Sequence, residues 1–266
     1  MVEKPFVPTS QQAAELAAAA RTANRLICVY QNRRWDSDFL TFRSLYADGA
    51  GELGRIVEFE THFDRYKPER PRTWKGELGM ADAGGVVYDL GSHLIDQVYV
   101  TFGLPRSVTA IFSNQRADGA DEPDSVTILL QYPGGLVCTA KAGVVSIESE
   151  QLRFWVRGTG GTYKKYHLDV QEDQLKAGAK PTDANFGVEG EERAGVLTTL
   201  VGGTPVARAQ PNVKPVTYLG IYERFVEAIR AGDASKVPVK AEEAADVLRI
   251  IEAARRSAKE GRTVEL

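Results

Sequence analysis

Three short stretches of the chain carry residue types suited to proton chemistry. In G-G-V-V-Y-D-L-G-S-H, residues 84–93, Asp89 and His93 stand four positions apart, so a helix sets both on one face within reach of the same substrate group. An imidazole gives or takes a proton near neutral pH, and a nearby carboxylate orients it or raises its basicity. The same spacing fits a plainer arrangement, with Asp89 as a helix cap and His93 packed at the helix start. The second stretch is Glu3-Lys4-Pro5. X-Pro bonds are where cis peptides occur, and a fixed turn there could aim the lysine, although an N-terminal lysine by itself is usually a solvated charge. The third is Y-Q-N-R-R-W-D, residues 30–36, at the end of a short apolar run. Ligands of open α/β sheets bind beyond strand ends. Arginines and an amide there suit hydroxyl-rich or carboxylate substrates, and a polar loop with one tucked aromatic explains the stretch equally well.

The elements that would position these residues follow from periodicity. Residues 9–24 are rich in Ala and Leu, open with Thr and Ser, and contain no Gly or Pro, which predicts a helix. L-I-C-V-Y, 26–30, reads as a strand buried on both faces. Residues 36–50 predict a second helix, capped by Asp36 or Ser37 and ended by Gly49. From Gly54 the period changes to strict alternation, with Ile56, Glu58, Glu60 and His62 opposite Val57, Phe59, Thr61 and Phe63. Residues 86–100 predict the helix that carries Asp89 and His93. Strands are predicted at 107–113, 125–132, 136–142, 151–158 and 162–169, several joined by glycine turns, which makes a mostly antiparallel sheet. Arg153, Trp155 and Arg157 alternate with Phe154 and Val156, as in a sheet with both faces occupied. Residues 171–214 lose hydrophobicity and gain Gly, Pro, Glu and Thr, the signature of a loop-rich insertion. Helices at 218–231 and 241–260 close the chain.

Composition excludes several classes of function. A chain of 266 residues that is 43% hydrophobic and 26% charged is globular. Its 33 Lys and Arg against 36 Asp and Glu give a net charge of -3, so no basic field gathers nucleic acid or an anionic membrane. No apolar run reaches membrane-spanning length and no secretory signal opens the chain. Cys28 and Cys138 read as small buried hydrophobes rather than a disulfide, and a cytoplasmic setting is expected. His62, His93 and His167 are isolated from one another and from the cysteines, so no metal set is expected.

The motifs E-K-P-F-V-P-T, Y-Q-N-R-R-W-D-S-D-F, G-E-L-G-R-I-V-E-F-E-T-H-F-D-R-Y and G-G-V-V-Y-D-L-G-S-H-L-I-D-Q-V-Y-V-T-F-G occur in this order. A G-T-G-G-T turn and the closing Y-E-R-F-V-E-A-I-R-A-G and A-E-E-A-A-D-V-L-R-I-I-E-A-A-R-R-S-A-K-E-G-R-T-V-E-L segments follow. Over nearly its whole length the chain resembles the Gfo/Idh/MocA family, the relatives of glucose-fructose oxidoreductase and inositol dehydrogenase. The resemblance implies an α+β fold, a large, mostly antiparallel, open-faced sheet with helices on one face, preceded by a helix-strand remnant of a Rossmann domain. Residues 1–35 would be that remnant, carrying E-K-P, and 36–266 the substrate-binding and catalytic domain. It also implies a catalytic set of Lys4, Asp89 and His93. His93 would be the acid or base on a substrate hydroxyl, Lys4 would hydrogen-bond that oxygen, and Asp89 would position the substrate or tune the pair. Tyr30, Asn32, Arg33, Arg34, Trp74 and Lys75 would line the substrate pocket.

By the same resemblance the cofactor is NAD(P), yet no G-x-G-x-x-G lies between a strand and a helix. Gly158-Thr-Gly-Gly161 is better explained as a hairpin turn. The nucleotide is therefore expected to need another chain or site. A remnant helix and strand would leave Leu16, Ile27 and Val29 to be covered by self-association, by a separate nucleotide-binding chain or by the C-terminal helices. A homo-oligomer through the open sheet face is the family's habit. Three functions are compatible with these residues. The first is the substrate-binding and catalytic half of a sugar or polyol oxidoreductase. The second is a cofactor-independent acid-base enzyme catalysing isomerisation, elimination or cyclisation. The third is a non-catalytic ligand sensor or scaffold.

Overall fold

The computed structural model describes residues 1–47, 51–71 and 78–266. The chain opens with a two-residue strand, β1 (Val2–Glu3), followed by helix α1 (Ser10–Thr22) and strand β2 (Val29–Tyr30), which pairs parallel to β1. Thr9 caps α1 in a reciprocal box with Gln12, the local reason the helix begins there. The predicted strand 26–30 is thus shorter than expected, because only its last two residues find a partner. Helix α1 rests on the long C-terminal helix α6 (Ala241–Glu260), burying Ala13 and Ala17 and pairing Ser10 with Glu252 and Arg21 with Glu242. Val29 is fully buried and its N–H donates to Val239 O, while Leu16 is 42% exposed. Val29 is thus covered within this chain, and the main chain it meets is the segment just before α6.

Helix α2 (Ser37–Ala47) follows a single 3-10 turn at Asn32–Trp35. The Gly49 stop lies outside the described residues. Phe39 and Phe42 of α2 pack on Phe59 and Phe154 of the sheet, the Phe42 and Phe59 rings lying 4.8 Å apart. Among the described residues the sheet has nine strands: β3 (Ile56–Asp64), β4 (Ser107–Ser113), β5 (Ser125–Gln131), β6 (Val137–Gly143), β7 (Leu152–Gly158), β8 (Gly161–Tyr166), β9 (Gly195–Val201), β10 (Thr204–Gln210) and β11 (Val264–Glu265). Their order is β10-β9-β8-β7-β3-β6-β5-β4-β11, and β3 with β6 is the parallel pair in an otherwise antiparallel array. Helix α3 (Ser92–Phe102) and α6 cover one face. On the other, Ile111 stands 68% exposed and Lys141 and Arg157 face solvent.

Three expectations need correction. The segment 171–214 is not simply loop. It holds a short helix α4 (Gln171–Lys176) and the β9-β10 hairpin, which adds two strands to the sheet. Gly202 and Gly203 both take positive φ (58° and 84°) in the two-residue turn, the combination that tight hairpins favour. Strand β7 departs from plain alternation, since a bulge between Leu152 and Phe154 turns Arg153 inward beside Phe154, both fully buried. A register shift between Ile56 and Glu58 likewise offsets the alternation of β3 at its start. Near the chain's end, helix α5 (Leu219–Ala231) precedes α6.

Candidate active site

The parallel β1-β2 pair ends at Glu3 and Tyr30, so the residues just beyond both strands emerge side by side. A turn closed by Phe6 N–H donating to Glu3 O (3.1 Å), with a cis Lys4–Pro5 peptide, carries Lys4 toward the sheet domain. There Lys4 Nζ donates to the main-chain oxygen of Asp89 (2.7 Å) and to its Oδ1 (3.1 Å). Asp89 sits in a π-helical turn, Val87–Gly91, that runs directly into α3, where His93 occupies the first turn. Such single wide turns are frequent at functional sites because they re-aim side chains relative to a regular helix. Arg65, one residue past β3, approaches Asp89 Oδ2 from the other side at 3.3 Å.

Lys4, Asp89 and His93 line one cavity of about 180 Å³, together with Tyr30, Asn32, Arg33, Phe63, Arg65 and Glu172. Residues 89 positions apart in sequence are therefore brought to one space. Burial and the neighbouring Tyr222 push the Tyr30 phenol well above its ordinary range, so it is a standing hydrogen-bond donor. Arg33 is nearly enclosed. Its burial alone would lower its pKa, but Asp36, Tyr218 and Glu172 outweigh that and hold it firmly cationic. Its guanidinium lies 4.7 Å over the Phe63 ring and pairs with Asp36 (3.2 Å) and Glu172. Arg33 supports the cavity wall as much as it faces it.

Arg34, expected to bind substrate, turns the opposite way. It makes a bidentate pair with Asp96 (2.8 and 2.7 Å) and a further bond to Glu243 (2.8 Å), tying the loop to α3 and α6 outside the cavity. Burial raises the Asp96 pKa and Arg34 opposes that rise, as expected for a carboxylate whose one close cation compensates its lost water. Trp74 and Lys75 lie outside the described residues. Sequence reading missed Arg65, Phe63 and Glu172. The available signal for the first two was position, since they end the central strand of the sheet, where ligands gather. Glu172 opens a short helix within the segment read as an insertion and carried no signal of its own.

A larger cleft of about 780 Å³, between the end of β4 and the second half of α6, is lined by Phe112, Glu252, Arg255 and Arg256. It shares no lining residue with the cavity of Lys4 and His93, and no histidine lines it. Among the described residues no group of three or more His, Cys, Asp and Glu is arranged to hold a metal. His62 is enclosed between Glu60 (3.2 Å) and Asp64 (3.4 Å) on β3, and Cys28 and Cys138 are buried free thiols. No helix is long and apolar enough to cross a membrane among the described residues.

The G-T-G-G segment does not fit a dinucleotide phosphate. It forms the β7-β8 turn, and a Cβ on Gly158 would lie 1.9 Å from Leu53 O, while one on Gly161 would lie 2.6 Å from Glu52 O. These glycines admit neighbouring backbone rather than a ligand.

Known proteins resemble this chain over most or all of its length. Residues 49–266 match the family model described as "Oxidoreductase family, C-terminal alpha/beta domain", GFO_IDH_MocA_C. The scyllo-inositol 2-dehydrogenase (NADP(+)) IolW of Bacillus subtilis is 39% identical over 266 residues, covering 100% of this chain and 72% of the relative. The solved structure of yvaA from Bacillus subtilis superposes with a TM-score of 0.92 at 39% identity, over 100% of this chain and 73% of the other. An oxidoreductase from Bacillus cereus superposes with a TM-score of 0.86 at 30% identity, over 100% and 86%. With the family match over residues 49–266 and relatives 30–39% identical across the whole chain, the chain belongs to the Gfo/Idh/MocA family of oxidoreductases.

Proposed function

We propose that the chain interconverts an alcohol and a carbonyl on a sugar or polyol-like molecule. What supports the reading is the convergence of Lys4, Asp89 and His93, drawn from two separate parts of the fold, on one cavity. In the oxidising direction the carbon loses hydride and its hydroxyl loses a proton. His93 takes that proton, and Lys4 hydrogen-bonds the oxygen as negative charge grows on it. Asp89 holds the Lys4 ammonium from two of its oxygens and so fixes where the donor points. A nicotinamide nucleotide, NADP(+) in the name of the Bacillus relative, would supply the hydride acceptor, held by polypeptide other than the described residues. The same relative's name favours a cyclic polyol such as scyllo-inositol as the first substrate to try. The apolar residues exposed on the open sheet face, Ile111 and Leu129 among them, support self-association there.

The test is NADP(+) reduction with a polyol panel, run with the chain alone and with the nucleotide-binding segment of the Bacillus relative supplied. Turnover that His93→Ala lowers by about 10²–10⁴-fold is expected for a lost general base. Absence of nicotinamide-dependent turnover in both formats overturns the reading. A second reading, cofactor-independent acid-base catalysis, draws on the same convergence of Lys4, Asp89 and His93, which can move a proton without a nucleotide. Conversion of a polyol without nicotinamide, lost in His93→Ala, selects it.

A further inference from the structure

The Asp89 carboxylate serves two cations. Its Oδ1 lies 3.1 Å from the Lys4 ammonium and its Oδ2 lies 3.3 Å from the Arg65 guanidinium. The main chain sets Arg65 there, because its N–H donates to Gly143 O (3.0 Å) and its oxygen accepts from Ser146 N–H (3.1 Å). The side chain differs from the arginines that hold the fold together. Arg153 bonds to Asp38, Thr61, His62 and Gln97, and Arg34 to Asp96 and Glu243. Among the described residues the hydrogen bond that Arg65 makes is the one to Asp89, and its Nε finds no acceptor there. A guanidinium stays charged at every working pH, whereas an ammonium titrates. A second positive charge on the carboxylate that neutralises Lys4 therefore weakens the preference of Lys4 for its charged, Asp89-bound form. The other charged or titratable groups lining the cavity with Lys4 are Glu3, Tyr30, Arg33, His93 and Glu172, and Arg33 is itself paired with Asp36 and Glu172.

We propose that Arg65 is a positioning residue for the alcohol-carbonyl reaction: by sharing the Asp89 carboxylate it loosens that carboxylate's hold on Lys4, so that the ammonium can be lent to the substrate oxygen. The role of Lys4 rests on the alcohol-carbonyl reading, whereas the coupling among the three side chains does not.

Competitive acetylation with acetic anhydride across pH, read at Lys4 by mass spectrometry, tests the coupling without substrate or nucleotide. Only the unprotonated amine reacts, so the pH of half-maximal labelling reports how firmly the ammonium is held. Arg65→Gln and Arg65→Met are each expected to raise that pH by about half a unit or more, with Arg65→Lys close to the parent chain. Asp89→Asn is expected to lower it, and Arg65→Gln added to Asp89→Asn to shift it by less than half as much as in the parent. Unchanged Lys4 labelling in the two charge-removing variants overturns the proposal, as does an equal shift with and without Asp89. Lys165, whose side chain is 0% exposed, reports folding. Its labelling in both Arg65→Gln and Arg65→Met would show Arg65 holding the fold rather than Lys4, and also overturns the proposal. In NADP(+) reduction with a polyol, Arg65→Gln is expected to lower kcat about tenfold with KM within about threefold, and Arg65→Lys to restore most of it. An unchanged kcat beside a shifted Lys4 overturns the role in the reaction. Absence of polyol turnover in the parent chain overturns the alcohol-carbonyl reading and leaves the labelling to decide the coupling.

Discussion

Arg33 and Arg34 are neighbours in sequence and serve opposite sides of one loop. Arg33 stays beside the cavity under Phe63, while Arg34 is consumed by Asp96 and Glu243. The Arg34 and Asp96 side chains are 8% and 2% exposed, so removing one strands the other's charge away from water. Arg34→Ala is expected to cost about 3–5 kcal/mol of stability, read from denaturant midpoints. Replacing both partners with apolar residues should recover much of that loss, because no charge is then left buried. Double-variant stability no better than Arg34→Ala alone would contradict this assignment. Both arginines were legible as candidates, but which of them lines the cavity was not. The choice depends on the 3-10 turn at Asn32–Trp35, and on Asp96 and Glu243, which come from distant helices.

At the scale of elements, close backbone approach explains the glycines that a motif search would seize on. The end of β7 runs against the Leu53 carbonyl, so Gly158→Ala forces the Cβ into backbone that cannot swing aside. A loss of about 1–3 kcal/mol is expected from such overpacking, measured by urea unfolding. An unchanged midpoint would show that the turn has room and reopen its reading as a ligand loop. Helix α6 and most of the central strands lie where periodicity predicts them, because their apolar residues meet a single covered face. The β9-β10 hairpin escaped that reading although Gly202-Gly203 marks its turn. Every residue of β10 but the last is exposed, so no buried face imprints a period on the strand. The bulge in β7 escaped for the opposite reason. Arg153 looks like a solvent position by type, yet Asp38 (2.9 Å), Thr61 (2.9 Å) and Gln97 (2.8 Å) satisfy it inside the fold.

For the whole molecule, burial governs the response to alkali. It pushes the Cys138 thiol above its ordinary 9.0, and the phenols of Tyr132, Tyr163 and Tyr218 above their ordinary 10.0. The unfolded chain releases these protons at the ordinary values and the folded chain holds them. The stability they contribute is therefore complete below the ordinary values and is lost as pH rises toward the folded ones. Each such group costs about 1.4 kcal/mol per pH unit across that window. Urea midpoints should begin to fall near pH 9 and fall steeply above about pH 10, and substituting Tyr132 by Phe should soften the fall. A flat profile would mean that these side chains are solvated in the folded state.

The chain's amino-acid order alone determined the family, the mostly antiparallel sheet with its covering helices, and the acid-base types at Lys4, Asp89 and His93. These are written in local periodicity, capping residues and contiguous motifs, which act over a few residues. Tertiary structure alone decided that β1 and β2 deliver Lys4 to Asp89, that Arg65 and Glu172 complete the cavity, and that Arg34 leaves it. Those outcomes depend on charges meeting across long sequence separations, where burial and the nearest counter-charge select each side chain's partner.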